Sequence, residues 1–338
     1  MKVFMGLITI LLMIFFILYP SVQISGAIKG ILVCGEIIIP SLFPFTVLAL
    51  FLFNCGFIKS LEKIINPFSN KIFKLSGRNF AIFIISFIGG FPVGARLIEE
   101  EYKACNIDKK LGENMLAYCV NSGPAFIIIG IGNKIFGCKL IGIMLFLANL
   151  TASFIIAFFL RFFNSKTFIM AENDKEKTPL SDAFVKSTAN ASTSIIGICS
   201  FVILFSTLIE IIKALPLNNA VKNLISSLLE ITNGTIICGK NIYIIAFLLG
   251  FSGFCVHFQI LSVTKVLKPN YLKFLTFRII HGILTAIILI IFLKIHPIYL
   301  QTINGNVVFW GTISSISIPF SASLIILCAV FLESLRKI

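Results

Sequence analysis

Charge is scarce in this chain. Asp, Glu, Lys and Arg supply 12% of its 338 residues, about half of the roughly 25% carried by a soluble domain. Tryptophan occurs once and histidine three times. The histidines, His257, His281 and His296, lie far apart, and no carboxylate pair shares helical spacing with them. No HExxH, GxSxG or Walker motif is present, so the hydrolase and nucleotide-binding chemistries those motifs carry have no foothold. The chain is not expected to be an enzyme or to need a cofactor or metal. Without a P-loop it cannot energise transport with ATP itself, so any passage through it is facilitated or ion-coupled. Patterned cysteine is missing too: Cys34, Cys55, Cys105, Cys119, Cys138, Cys199, Cys238, Cys255 and Cys328 form no CxxC pair and sit mostly in apolar runs. That argues against a disulfide framework or zinc site and for small apolar fillers.

What the chain has in abundance is apolar sequence. Hydrophobic residues make up 58% of it, and the mean hydropathy is +1.02. Several separate runs reach the about twenty residues that cross a roughly 30 Å hydrocarbon core. The fold class read from this is an all-α polytopic membrane protein with about eight to ten membrane segments. The net charge of +14 does not signal nucleic acid, because the basic residues cap apolar segments and form no aromatic-interleaved stripe. Such an excess follows from cationic cytoplasmic loops and from attraction to anionic lipid.

Along the chain, Val3 to Tyr19 reads as a retained first helix that ends at Pro20, lacking a clear signal-peptide cleavage site. Ile28 to Cys55 is a second span that carries Glu36 and two prolines, Pro40 and Pro44, which predict a kink or a split into half-helices. Phe57 to Asn79 is basic and amphipathic, suited to the membrane interface. Phe80 to Ile98 is interrupted by Gly89-Gly90-Phe91-Pro92-Val93-Gly94, and Asn114 to Gly132 by Asn121-Ser122-Gly123-Pro124. Irregular backbone at membrane depth must be satisfied by protein or solute, so broken segments point to a binding site. After the span Cys138 to Phe163, residues 164–182 are the most hydrophilic stretch and read as a linker. Ser192 to Ile212 spans again. Pro216 to Gly234 is amphipathic, and Ile242 to Val263 contains Gly250-Phe251-Ser252-Gly253 and then His257 and Gln259. Spans near Phe277–Leu293 and Val307–Leu332 follow.

The two halves align in part. Placing Ile85–Ile98 on Leu248–Leu261 pairs Gly90 with Gly253, Phe91 with Phe254 and Val93 with Val256, with Arg96 against Gln259. A diverged internal repeat of a transporter kind is expected: residues 1–27 as an N-terminal helix, 28–163 and 183–338 as the two repeats, 164–182 as the linker. If Phe80–Ile98 enters and leaves on one side, loops 57–79, 96–113 and 161–182 all become cytoplasmic and collect most of the Lys and Arg.

Four motifs occur in a telling order: Gly89-Gly90-Phe91-Pro92-Val93-Gly94-Ala95-Arg96, Asn121-Ser122-Gly123-Pro124-Ala125-Phe126, Leu229-Glu230-Ile231-Thr232-Asn233-Gly234 and Gly253-Phe254-Cys255-Val256-His257-Phe258-Gln259. Together they resemble the YlbJ-type sporulation integral membrane proteins, which carry the nucleoside-recognition Gate domain. The resemblance covers roughly residues 25 to 335 and includes the basic residue at Arg96. It implies a multi-pass protein of the mother-cell-derived outer forespore membrane, with partners among lipid, other sporulation membrane proteins or further copies of itself. It also implies a role in moving dipicolinic acid towards the spore core; a nucleoside-type solute or a non-transporting scaffold for cortex and coat maturation are the other readings.

For a planar aromatic dianion, the expected binding set is Gly89, Gly90, Pro92, Gly94, Arg96, Asn121, Ser122, Gly123, Pro124, Gly253, His257 and Gln259. Arg96 offers a bidentate fork for a carboxylate, and half-helices after Gly94 or Pro124 would aim N–H groups at an anion. The structural alternatives stay open: Arg96 snorkelling beside Glu99 to Glu101, the glycines serving close packing, His257 as a satisfied core residue. Glu36, Glu230 and Asn233 are either coupling groups or structural ones.

Overall fold

A computed structural model describes residues 2–164, 179–239 and 241–295. Those residues form fourteen α-helices and two π-helical segments, with no strand among them. Five helices among the described residues are long and apolar enough to cross a membrane: Pro20–Asn54, Lys139–Leu160, Leu180–Ala214, Ile242–Val263 and Tyr271–Ile295. The chain is an all-α polytopic membrane protein.

Helix α1 (Lys2–Leu18) hands over at Pro20 to α2 (Pro20–Val33), so the second membrane segment starts eight residues before the expected Ile28. The expected split at Pro40 and Pro44 does not occur. α2 continues through a π-helical turn, Cys34–Ile38, into α3 (Ile39–Asn54) as one 35-residue helix. The wider turn sits just before Pro40, where proline's missing donor and its ring would otherwise break the ladder. Ser41 Oγ donates to the Ile37 carbonyl in the same place.

Helix α4 (Phe57–Phe73) ends at Lys74 in the left-handed region and meets α5 (Gly77–Gly89) at a sharp bend, 86° between Ile64–Phe73 and Gly77–Gly89. Ser76 caps α5 by accepting the Asn79 N–H. At Gly90 (φ +79°) the chain reverses into α6 (Phe91–Lys103). The reversal is a hairpin: Gly94 of α6 lies against Ser86 of α5, and at the base Arg78 grips Glu101 with two hydrogen bonds of 2.9 and 2.7 Å. The segment expected to be re-entrant thus enters and leaves at one end of the bundle.

α7 (Lys109–Tyr118), capped by Asp108, leads to a non-helical break at 119–123 and a π-helical half-helix, Ala125–Ile135. α8 is Lys139–Leu160. α9 (Leu180–Ala214) begins twelve residues before the expected span, its first three turns packing through Ala183, Ser187 and Ala191; most of the expected linker, 165–178, lies outside the described residues. α10 (Asn219–Leu229) turns at Glu230 into α11 (Ile231–Ile237), and Gly234 lies against Ser227 across that second hairpin. α12 (Ile242–Phe251) and α13 (Gly253–Val263) are parted only at Ser252 (φ +77°), and α14 is Tyr271–Ile295. The expected span Val307–Leu332 and His296 lie outside the described residues.

Glycine sets the closest approaches. A Cβ on Gly26 would lie 2.6 Å from Thr207 Cα, and one on Gly250 2.6 Å from Gly282 Cα. Where lipid offers no hydrophobic drive between helices, such small-residue contacts hold the bundle together. Polar and charged contacts then fix one end of it. Glu99 accepts the Val266 and Leu267 N–H groups, Glu113 accepts Asn270 N–H and pairs with Lys273, Arg161 donates to the Ile72 carbonyl, and Asn54 donates to Ser187. These contacts gather the segments near residues 54–79, 96–114, 161–164, 179–187 and 264–273 at the same end, the one richest in Lys and Arg among the described residues.

Candidate functional site

The two long helices α2–α3 and α9 pack side by side, and near their middles they border a small, partly open cavity. Ile38, Ser41 and Leu42 form one wall with Ile198 and Val202 of α9. The facing wall is made of chain interruptions: Phe91 and Pro92 after the Gly90 turn, Gly123 and Phe126 around the 119–123 break, Glu230 to Thr232 at the α10–α11 turn, and Val256 and Gln259 of α13. All four sequence motifs therefore meet at one cavity.

The lining is mainly apolar, with Ser41, Thr232, Gln259 and Glu230 as its polar members. Glu230 is its one ionisable group. Both carboxylate oxygens are occupied as a helix cap: Oε1 accepts Thr232 N–H at 2.9 Å, while Oε2 accepts Asn233 N–H at 2.7 Å and Asn233 Nδ2 at 2.9 Å. That is the capping role expected of Glu230 and Asn233 as structural residues. Gln259 Nε2 donates to Cys255 Sγ at 3.3 Å. The first turns of α6 and of Ala125–Ile135 open on the cavity without a side-chain cap, leaving their N-terminal partial positive charge directed at it.

The other expected residues divide clearly. Gly90 stands at the rim against Leu42 and 3.7 Å from Gly123 by its would-be Cβ, whereas Gly89 and Gly94 are packing glycines: a Cβ on Gly94 would meet the Cys119 carbonyl oxygen at 2.1 Å. Pro124 precedes the half-helix as its N-cap, and Gly253 (φ +73°) backs onto the Ile231 amide. Arg96 does not line the cavity. It lies one turn beyond Pro92, donating through Nη1 to the Asn190 carbonyl at 2.7 Å and to Ser194 Oγ, with Glu100 3.7 Å from Nε. Burial pushes the Glu100 carboxyl above its ordinary range, and Arg96 pulls the other way. Glu36 is exposed on the outer face of the π turn, within electrostatic reach of Lys134.

Asn121 is the hub of a buried network. Its Nδ2 donates to Ser86 Oγ and the Tyr118 carbonyl, and its Oδ1 accepts from Ser153 Oγ, which in turn meets His281 Nε2 at 3.1 Å. Because His281 Nε2 also faces the Asn149 carbonyl at 3.1 Å, an acceptor only, the proton is assigned to Nε2. Ser122 Oγ is buried without a partner. His257 is fully buried among Phe251, Phe254 and Phe274 and bonds the Phe251 carbonyl at 2.9 Å, the core role given above as its alternative.

Sequence reasoning passed over Arg278, which is fully buried and makes no salt bridge among the described residues. Its guanidinium donates to the Val120 carbonyl at 2.8 Å, to the Gly250 carbonyl and to Ser252 Oγ at 2.6 Å. It thereby satisfies carbonyls released by the breaks of both halves, a task for which a five-donor fork suits and a point charge does not. The signal was present, since an arginine inside an apolar helix is a functional candidate by default. Asn190 and Ser194 were hidden for a different reason: polar residues on a long helix are common, and only the fold puts them opposite Arg96.

No protein-family model and no solved structure matches the chain. The sporulation integral membrane protein YlbJ of Bacillus subtilis (strain 168) is similar to it, with 21% identity over 326 aligned positions that cover 83% of this chain and 79% of that protein. Similarity of that extent, joined to four ordered motifs that the fold gathers at one cavity, makes the chain a distant relative of the YlbJ-type sporulation integral membrane proteins.

Proposed function

We propose that this protein carries a small organic solute across a membrane of a sporulating cell. The observation behind the proposal is the convergence of four chain interruptions on one cavity at the middle of two long spans. A packed structural bundle has no use for backbone opened at that depth, because each unpaired group there costs free energy. The positive-inside rule directs the basic end of the bundle to the cytoplasm, here that of the mother cell, with the outer forespore membrane as the membrane crossed.

Dipicolinate is the proposed solute. Uncapped helix starts face the cavity, its walls include Phe91 and Phe126 for a ring, and the Arg96 fork waits one turn away for a carboxylate. One observation favours a second solute class. The only ionisable lining group is the acid Glu230, which repels a dianion and tolerates an uncharged nucleoside-type ring.

The test is the dipicolinate content of spores from cells lacking the protein, complemented with the parent or with Val256→Phe, which fills the cavity. Empty spores in the null strain and with Val256→Phe at normal protein level support passage through the cavity. Normal dipicolinate in the null strain removes this solute and puts the nucleoside and scaffold readings ahead.

A further inference from the structure

Residues 194, 198, 202 and 206 of α9 form one stripe at intervals of a helical turn. Ile198 and Val202 line the cavity, so Ser194 and Ser206 lie immediately beyond it towards opposite ends of the bundle. Each serine is bridged to the facing wall. Ser194 Oγ accepts from Arg96 of α6, and Ser206 Oγ accepts from Asn233 Nδ2 of α11 at 3.4 Å. We propose that these two bridges are the gates of the pathway, Arg96 with Asn190 and Ser194 closing the cavity towards the basic end and Asn233 with Ser206 closing it towards the other, and that a carboxylate of the solute opens the first by taking over the Arg96 fork. The inference rests on the transporter reading of the cavity.

The register supports the placement. Pro92 lines the cavity and Arg96 follows it by one turn on α6, just as Ser194 precedes Ile198 by one turn on α9. A bond between Arg96 and Ser194 therefore joins the two walls directly beyond the space they enclose. Its chemistry suits a gate rather than a fixed strut. The guanidinium bonds uncharged acceptors, the Asn190 carbonyl, Asn190 Oδ1 at 3.3 Å and Ser194 Oγ. The neighbouring acid Glu100 is 3.7 Å from it, and its side chain is 36% exposed. A carboxylate adds an opposite formal charge and a bidentate fit that the uncharged α9 acceptors lack, so it displaces them and frees α9 from α6. Contrast the base of the same hairpin, where Arg78 is held by the buried acid Glu101; that pair gives an incoming anion nothing to gain. At the opposite gate Asn233 also bonds Glu230 Oε2, so the α11 end keeps its cap when the Ser206 contact breaks.

The experiment follows access to the cavity and needs no knowledge of the solute. Ser41→Cys adds a thiol in the cavity wall, and its labelling by a membrane-impermeant maleimide is measured in sealed inverted and right-side-out vesicles, with the native cysteines of the parent as blank. Added Ser194→Ala or Arg96→Gln should speed labelling from the face bearing the basic end by at least roughly fivefold, the shift given by losing about 1 kcal/mol of closure. Added Ser206→Ala should speed it from the opposite face only. Unchanged rates in all three, with the parent's elution on size exclusion, overturn the gates. Free dipicolinate should speed labelling of the Ser41→Cys protein from the basic face and lose that effect with Arg96→Gln. Acceleration by a nucleoside and not by dipicolinate overturns the carboxylate trigger and leaves the gates standing, whatever the spores contain.

Discussion

Arg278 Nη1 lies 2.8 Å from the carbonyl oxygen of Val120, joining α14 to a break 158 residues earlier in the chain. The same guanidinium serves Gly250 and Ser252 at the second break. Both interruptions are thus held by one side chain that has no acidic partner among the described residues. Arg278→Met should lower the apparent melting temperature in detergent far more than Lys29→Met, which only removes an exposed pair with Glu210 worth up to about 1 kcal/mol. Arg278→Lys should rescue little, because an ammonium lacks the planar fork that reaches three acceptors at once. Equal melting temperatures for the three variants would show that the breaks do not depend on it.

Gly94→Ala should be among the most damaging conservative changes in the chain. Its Cβ would stand 2.1 Å from the Cys119 carbonyl oxygen, a backbone atom of the neighbouring break that cannot move aside. Gly197→Ala, on the open face of α9 with nothing within 4 Å, should be silent. Expression and monodispersity of the two variants in one detergent check the contrast.

Arg78 and Glu101 clamp the base of the first hairpin. The Glu101 side chain is 3% exposed and that of Arg78 35%, which places the pair between an exposed bridge of about 1 kcal/mol and a buried one of about 3–5 kcal/mol. Arg78→Met should cost more than Glu101→Gln, because it leaves the almost fully buried carboxylate without its cation, whereas the more exposed Arg78 can still donate to an amide oxygen. The double variant should recover part of the loss, and a thermal-unfolding cycle over the four proteins reads the coupling.

Glu230→Gln should loosen the start of α11 without dismantling the bundle. The carboxylate accepts three N–H groups, and an amide accepts through one oxygen only, so about 1 kcal/mol of capping is lost. Faster hydrogen exchange at the Thr232 and Asn233 amides, with exchange in α8 and α14 unchanged, is the expected pattern. Uniform acceleration would instead give Glu230 a role in global stability.

Much of this was legible beforehand in the motifs themselves. A glycine pair followed by Phe91-Pro92 cannot continue a helix, and the turn falls at Gly90 with the positive φ that glycine permits. Asn121-Ser122-Gly123 likewise leaves the helix, which restarts at Pro124. Of the kink or split expected at Pro40 and Pro44, the split does not form, because a π turn upstream absorbs Pro40 within a continuous helix, and a one-residue expansion of a turn has no sequence signature. Arg96 drew attention as the one basic residue inside a broken motif. Its chemistry was readable, but its distance from the cavity wall was not.

The sequence by itself determined the solvent and the interruptions. Twenty-residue apolar runs can be stable only in lipid, and glycine and proline dictate where helices stop, both being properties of local chain chemistry. The tertiary structure alone decided which interruptions face one another, that Glu230 lines the cavity while His257 does not, and that Arg278 and Arg96 reach partners 158 and 94 residues away. Those relations depend on how helices rotate and cross when small residues bring their backbones together, and no periodicity along a single chain records that rotation.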